Sequence, residues 1–181
     1  IQNNCRLIVK MHDDEEYRAL FQRTVDREFS TIKRVFEDLR NIARPMTLER
    51  FPLDANKLAV DSAESMRLNA EAAGLTLEVE LAPGDAHVEG DMFALGRVLR
   101  NLLMNAIEAT PPNGTVTVEV ETDERAVRLR VTDTGCGIPP ERMATLFEDF
   151  QTTKRQGLGL GLASSRKIVD QLGGRLTVES Q

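Results

Sequence analysis

The stretch Asp133–Ala163, DTGCGIPPERMATLFEDFQTTKRQGLGLGLA, decides how the rest of the chain is read. It opens on a carboxylate in a glycine turn, Asp133-Thr134-Gly135-Cys136-Gly137, and closes on Gly157-Leu158-Gly159-Leu160-Gly161-Leu162. Glycines at alternate positions let backbone approach a ligand closely. The residues that follow, ASSRKIVDQLGG, read as a helix, and a helix that starts there turns free N–H groups toward an anion. An isolated acid stands at one end and a phosphate-type cradle at the other, with Thr152-Thr153-Lys154 between them. Those are the residue types of a purine nucleotide site.

Upstream, Asp91 to Thr110 reads as a strong helix with Leu95, Val98, Leu99, Leu102, Leu103 and Ala106 inward. Asn101, Asn105 and Glu108 share one face of it, being spaced by four and three. Amides in a leucine-rich helix need partners if buried. Asn105 either caps a neighbouring loop or offers its oxygen to magnesium, a hard cation that also takes phosphate oxygens. The glycine cradle downstream favours the second reading. Pro111-Pro112-Asn113-Gly114 breaks the helix. Val116, Val118 and Val120 then alternate, Thr122-Asp123-Glu124 turns, and Val127, Leu129 and Val131 alternate again, an antiparallel hairpin leading straight into Asp133.

Further out, Thr47–Phe51 reads as a short strand and Asp54–Ala73 as a helix that stops at Gly74. Alternating Leu75, Leu77, Val79 and Leu81 mark a strand over 75–81, followed by a Pro83-Gly84 turn. A helix at 164–172 and a strand at 175–180 end the chain. The sum is an α+β sandwich, helices over one mostly antiparallel sheet. Before it, residues 1–12 and 15–44 read as two helices joined at His12-Asp13-Asp14-Glu15. Phe21, Val25, Phe29, Ile32, Phe36, Leu39 and Ala43 form one apolar stripe on the second. A lone hairpin cannot bury such stripes. The economical answer is a homodimer through residues 1–44, two hairpins making a four-helix bundle; packing against the rest of the same chain is the alternative. Pro45 ends the long helix and places the domain boundary, 1–46 and 47–181.

Acidic residues outnumber basic ones, 29 to 23, and no basic stripe stands out, so nucleic acid is not an expected partner. Cys5 and Cys136 have no metal spacing and form no disulfide framework, so reduced thiols are the default. No apolar run of about 18 residues would cross a membrane, and no signal peptide is visible. A chain that starts at Ile1 rather than methionine reads as a fragment, whose anchor could lie elsewhere. G-x-x-x-x-G-K-[ST] is absent, the glycines at 157, 159 and 161 do not fit G-x-G-x-x-G, and neither H-R-D nor D-F-G occurs.

Four ordered motifs make the chain resemble the GHKL (Bergerat) nucleotide-binding fold, and within it the sensor histidine kinases of two-component systems. Asn101-Leu-Leu-Met-Asn105-Ala-Ile-Glu-Ala109 resembles the N box and Asp133-Thr-Gly-Cys-Gly137-Ile138 the G1 box. Leu146-Phe-Glu-Asp-Phe150-Gln-Thr-Thr-Lys154 resembles the F box and Gly157-Leu-Gly-Leu-Gly161-Leu-Ala163 the G2 box. Gly173-Gly174-Arg-Leu-Thr-Val-Glu-Ser180 fits the usual ending. The likeness covers 47–180, and the hairpin resembles the dimerisation and histidine-phosphotransfer domain. The forms of the N and F boxes resemble the nitrogen-regulation-like branch.

The resemblance implies a protein histidine kinase using ATP and Mg2+, located in the cytoplasm or as the cytoplasmic part of a membrane-anchored receptor, with a response-regulator receiver domain as partner. It implies that Asp133 accepts from the adenine amino group, that Gly135, Gly137 and Ile138 let the base lie against backbone, and that Asn105 holds the metal. Residues 138–158 would form a lid anchored by Phe147 and Phe150. Thr152, Thr153 and Lys154 would serve the phosphates, with Gly157, Gly159, Leu160 and Gly161 opening the helix that faces them. Asn101 and Lys154 are the candidate catalytic residues. Phosphoryl transfer of this kind is mostly positioning and charge neutralisation.

The acceptor motif, His-Glu/Asp then Asn/Thr-Pro, is missing. His12 is followed by Asp13, but Glu16 and Tyr17 stand where Asn/Thr and Pro belong, and His87 falls beside a strand. By family spacing the acceptor is expected about two helical turns before Ile1. Glu108 replaces a common lysine, and no Gly-x-Gly-Thr run follows. Rival readings are a GHKL ATPase, whose glutamate base would occupy the position of Asn101, an ATP-independent dimeric adaptor for a response regulator, and an aspartic protease built on Asp-Thr-Gly. The last needs a mostly β dimer.

Overall fold

A computed structural model describes residues 14–43, 47–123, 125–148 and 159–180. The expected first helix with His12, the boundary at Pro45, the turn residue Glu124, and Phe150, Thr152, Thr153, Lys154 and Gly157 lie outside the described residues.

The long helix α1 spans Glu15–Ala43. Two acids begin it, and Asp14 accepts from the Tyr17 N–H at 3.0 Å, a cap that suits the positive end of the helix. Part of its apolar stripe is exposed among the described residues, while Phe21 and Val25 are half-buried. Phe29 is 65% exposed, Ile32 45% and Phe36 68%.

The remainder is two layers. Strand β1 (Phe51–Asp54) leads into α2 (Ala55–Ala72), with β2 (Thr76–Glu80) and β3 (His87–Gly90) after it. Then come α3 (Met92–Ala109), β4 (Thr115–Thr122), β5 (Val127–Asp133), the single turn α4 (Pro140–Met143) and α5 (Gly161–Gln171). Asp54 caps α2 by accepting from the N–H groups of Asn56 and Lys57, and Gly74, at φ +70°, ends that segment in the left-handed region. Asp91 caps α3 by accepting from the Ala94 N–H. Its other oxygen takes the Glu49 N–H at 3.2 Å, tying the approach segment to the start of α3.

One sheet has the order β2-β4-β5, with β2 parallel to β4 and β4 antiparallel to β5. The alternation of β4 is complete: Val116, Val118 and Val120 are buried under the helices. They meet Ala55, Ala59, Ala63 and Ala70 of α2 and Leu103, Ala106 and Ile107 of α3. Alanines supply the α2 side of this contact, and Leu103 and Ile107 the bulk of the α3 side. Helix α5 packs on α3, Ile168 against Ala94 and Val98.

Four expectations shift. In place of one mostly antiparallel sheet the strands form two, β1 with β3 and the mixed β2-β4-β5, because β2 reaches β4 through the intervening helix α3 and so runs parallel to it. The strand read at Thr47–Phe51 forms at Phe51–Asp54, because it pairs antiparallel with β3, Phe51 opposite Gly90. Sequence reading passed over β3: four residues carry too little pattern without their partner. The strand expected at 175–180 is absent. Leu176 and Val178 are half-buried between exposed neighbours, yet residues 174–180 join no ladder. Alternation belongs to a single segment, whereas a strand needs a partner in register.

Candidate nucleotide site

The site forms where the hairpin, the end of α3 and the start of α5 converge. Asp133 is the last residue of β5, opposite Val116. Its Oδ1 accepts from the Gly135 N–H at 2.8 Å, so the carboxylate folds over its own turn. Asp133 is exposed, and its Oδ2 has no hydrogen-bond partner among the described residues. Thr134 locks the strand end: its N–H donates to the Thr115 carbonyl at 3.1 Å, and its hydroxyl accepts from the Thr115 N–H at 3.0 Å.

Gly135 presses on the C-terminus of α3. A β-carbon there would stand 2.7 Å from the Ala109 carbonyl oxygen. That carbonyl accepts from the Cys136 N–H at 3.3 Å, so the glycine turn satisfies one orphan acceptor of the helix end. Gly137 follows at φ +69°, a conformation that side chains resist. The Ile138 N–H donates to the Ser180 hydroxyl at 2.7 Å. Cys136 is an exposed free thiol in the same turn.

At the other end, Gly159 sits at φ +68° and buried Leu160 precedes the first helical residue, Gly161. Among the described residues no side chain caps α5. The N–H groups of its first turn are therefore not satisfied by a capping side chain, which makes the helix start a donor-rich end with positive character. Asn101 reaches this end from α3. Its Nδ2 donates to the Ser165 hydroxyl at 3.0 Å, and a β-carbon on Gly161 would overlap its Oδ1. Asn105 stands one helical turn further along α3, half-buried. Arg97 donates to the Ser164 hydroxyl at 3.2 Å, a second tie between α3 and α5.

Between the two ends, α4 begins the segment expected to form a lid. Phe147 lies under the Arg166 guanidinium, 5.0 Å from the ring centre, which fixes the base of that segment to α5. Thus Asp133, Gly135, Gly137 and Ile138 form one end, and Asn101, Gly159, Leu160 and Gly161 the other, with Asn105 on the helix that joins them. Ser165, Arg166, Ser180 and the Ala109 carbonyl were not found from the sequence. Ser165 had one usable signal, a hydroxyl on the buried face of an amphipathic helix, which needs a partner.

The family model described as histidine kinase-, DNA gyrase B- and HSP90-like ATPase matches residues 90–181, the part that holds all of this geometry. The chain belongs to that ATPase family. Within the family its likenesses are to sensor histidine kinases. Sensor histidine kinase ZraS of Klebsiella oxytoca is 32% identical over 155 residues, covering 85% of this chain and 34% of that protein. The chain thus spans about a third of the length of the curated relative it matches. The solved catalytic domain of histidine kinase ThkA is 34% identical, with a TM-score of 0.63 over 68% of this chain and 81% of that one. ThkA in complex with the response regulator protein TrrA gives a TM-score of 0.68 at 26% identity, over 94% of this chain and 50% of that one. The helices over a mixed sheet are the fold of such catalytic domains, and the family implies nucleotide use.

Proposed function

We propose that this chain is the catalytic part of a sensor histidine kinase, which binds Mg-ATP and passes the γ-phosphate to a histidine ring nitrogen. One observation carries most of the weight. The N-box helix and the start of the G2-box helix are joined through Asn101, which spans Ser165 and Gly161. That join sets a face bearing amide oxygens beside an uncapped helix N-terminus, the electrostatic setting for a polyphosphate with its cation.

The residues suit that ligand. The oxygen of Asp133 left over from the Gly135 bond can accept from an adenine amino group. Gly135 and Gly137 carry no side chain that would hold the base away from the backbone. Asn105 would supply the protein oxygen to magnesium. Among the described residues no cluster of three or more His, Cys, Asp or Glu could hold a metal. When bound, magnesium neutralises phosphate charge. The first-turn N–H groups of α5 orient the phosphates, and Lys154 would add a positive charge.

For the phosphate acceptor, His87 is a poor candidate. It lies in β3, hydrogen-bonded to Asp85, on the small two-stranded sheet rather than at the site. We propose an acceptor on the hairpin, about two helical turns before Ile1. Homodimerisation through 1–44 accounts for the exposed Phe29, Ile32 and Phe36 of α1. A receiver domain as partner follows the ThkA–TrrA complex. No helix among the described residues is long and apolar enough to cross a membrane, and a cytoplasmic setting is the one in which ATP is at hand.

The test is calorimetry with Mg-ATP, followed by radiolabelled ATP on this chain and on one extended by about ten residues, the family spacing converted by helix rise. Micromolar to millimolar binding is expected, with acid-labile, base-stable label on the extended chain alone. Absence of ATP binding would overturn the proposal. Label on this chain that disappears in His12→Ala would overturn the upstream acceptor.

A further inference from the structure

We infer that Ser165 is a positioning residue for the nucleotide: its hydroxyl, acting through Asn101, sets the register between the phosphate end of α5 and the N-box face of α3. This rests on the nucleotide reading above and adds to it a residue that none of the four motifs assigns a role.

Ser165 is only 3% exposed. A buried hydroxyl without a partner is costly, and this one has a specific partner on another helix, Asn101 Nδ2 at 3.0 Å. The bond orients the amide. With Nδ2 turned to Ser165, Oδ1 is left against Gly161, where the first-turn N–H groups of α5 give it a favourable field. Gly161 has no β-carbon, so Asn101 sits flush on the first helical residue. One amide therefore reads two points of α5 separated by one turn, which fixes both its distance from α3 and its rotation.

Asn105 extends from the same face of α3 one turn later. Any slip of α5 along α3 changes the separation between Asn105 and the helix start. The other contacts between these helices are less discriminating. Ile168 against Ala94 and Val98 is apolar and tolerates small sliding, and Arg97 to Ser164 runs from a long flexible side chain at 3.2 Å. Asn101 in this arrangement touches protein, and its part in the reaction is to hold the phosphate cradle in place. Water activation is not required of it.

Position, unlike general stability, acts on one end of the ligand. Adenine lies at the Asp133 end, beside the C-terminus of α3 at Ala109, whereas Ser165 meets α3 two turns earlier at Asn101, so loss of the strut should spare the base and disturb the phosphates. The experiment measures binding of ATP, ADP and adenosine to the wild type, Ser165→Ala, Ser165→Thr, Asn101→Ala and the Ser165→Ala/Asn101→Ala double variant, well below their thermal transitions. Ser165→Ala is expected to weaken ATP about three- to tenfold, the effect of one net hydrogen bond, with adenosine unchanged. Ser165→Thr keeps the hydroxyl and should recover most of the loss. The double variant should bind ATP no worse than Asn101→Ala, because both changes remove the same strut.

Unchanged ATP affinity in Ser165→Ala would overturn the inference. So would equal losses for ATP and adenosine, which would mark a general structural defect, or additive losses in the double variant. Asp133→Asn is measured alongside. If it leaves ATP affinity unchanged, the nucleotide reading fails. If it abolishes binding while Ser165→Ala does not matter, only the positioning role fails.

Discussion

Asp133→Asn replaces one carboxylate oxygen with an amino group and keeps the shape of the side chain, so its effect can be worked from the local geometry. Oδ1 already accepts from the Gly135 N–H at 2.8 Å, and that bond shapes the turn. The remaining oxygen is the one proposed to meet the adenine amino group. The amide has a single oxygen for these two demands. If the oxygen stays on Gly135, an NH2 group faces the adenine amine, donor against donor. If the amide flips, the same clash falls on the Gly135 N–H and the turn loosens. Either way one hydrogen bond to a charged acceptor is lost, worth about 1.5–3 kcal/mol, or about 10- to 150-fold in the dissociation constant, before any donor–donor repulsion. The first outcome is expected, because it preserves the backbone. It carries a second consequence. Inosine triphosphate presents an acceptor where ATP presents its amine, so its affinity should rise in Asp133→Asn while that of ATP falls. Calorimetry with both nucleotides checks this. Equal ATP affinity in the two proteins, or parallel losses for ATP and ITP, would refute the assignment of Asp133 as the base-reading residue.

Other outcomes follow from the same structure. Gly135→Ala drives a β-carbon into the Ala109 carbonyl and should cost about 1–3 kcal/mol, read as a lower urea midpoint. Leu103→Ala, in a fully buried site between α3 and the sheet, should cost about 2–5 kcal/mol with little change in the shape of the far-ultraviolet spectrum. Bound ATP should shield Cys136 from alkylation, and equal labelling rates with and without nucleotide would count against its place beside the base. Phe29→Asp with Phe36→Asp should give monomers by light scattering, since each puts an unpaired charge in an apolar seam; a monomeric wild type would sink the dimer. Asp85 holds the His87 pKa above its ordinary value, first through the hydrogen bond and then through its charge. The folded value exceeds the unfolded one, so this contribution is complete below about pH 6.5 and fades as pH rises through the raised value. The difference in Tm between wild type and His87→Gln should therefore be largest in mild acid and vanish in mild base.

Sequence alone determined the local elements whose pattern is self-contained. The valines of β4, the leucines of α3 and the glycine at 74 each act within a few residues, so spacing reveals them. The four motifs were legible for a related reason. A ligand that demands bare backbone and an exposed acid leaves few residue types that can serve. Tertiary structure decided what depends on meeting. Strand β1 slid to Phe51–Asp54 and β3 appeared at all because they pair with each other, and β2 lies parallel beside β4 although they are far apart in sequence. Ser165 illustrates the limit most clearly. In sequence it is one serine of two after a glycine run, and its chemistry exists only because α5 turns it inward and α3 brings Asn101 across 64 residues of chain to meet it. A hydrogen bond is a property of a pair at a distance, and only the packing of two helices sets that distance.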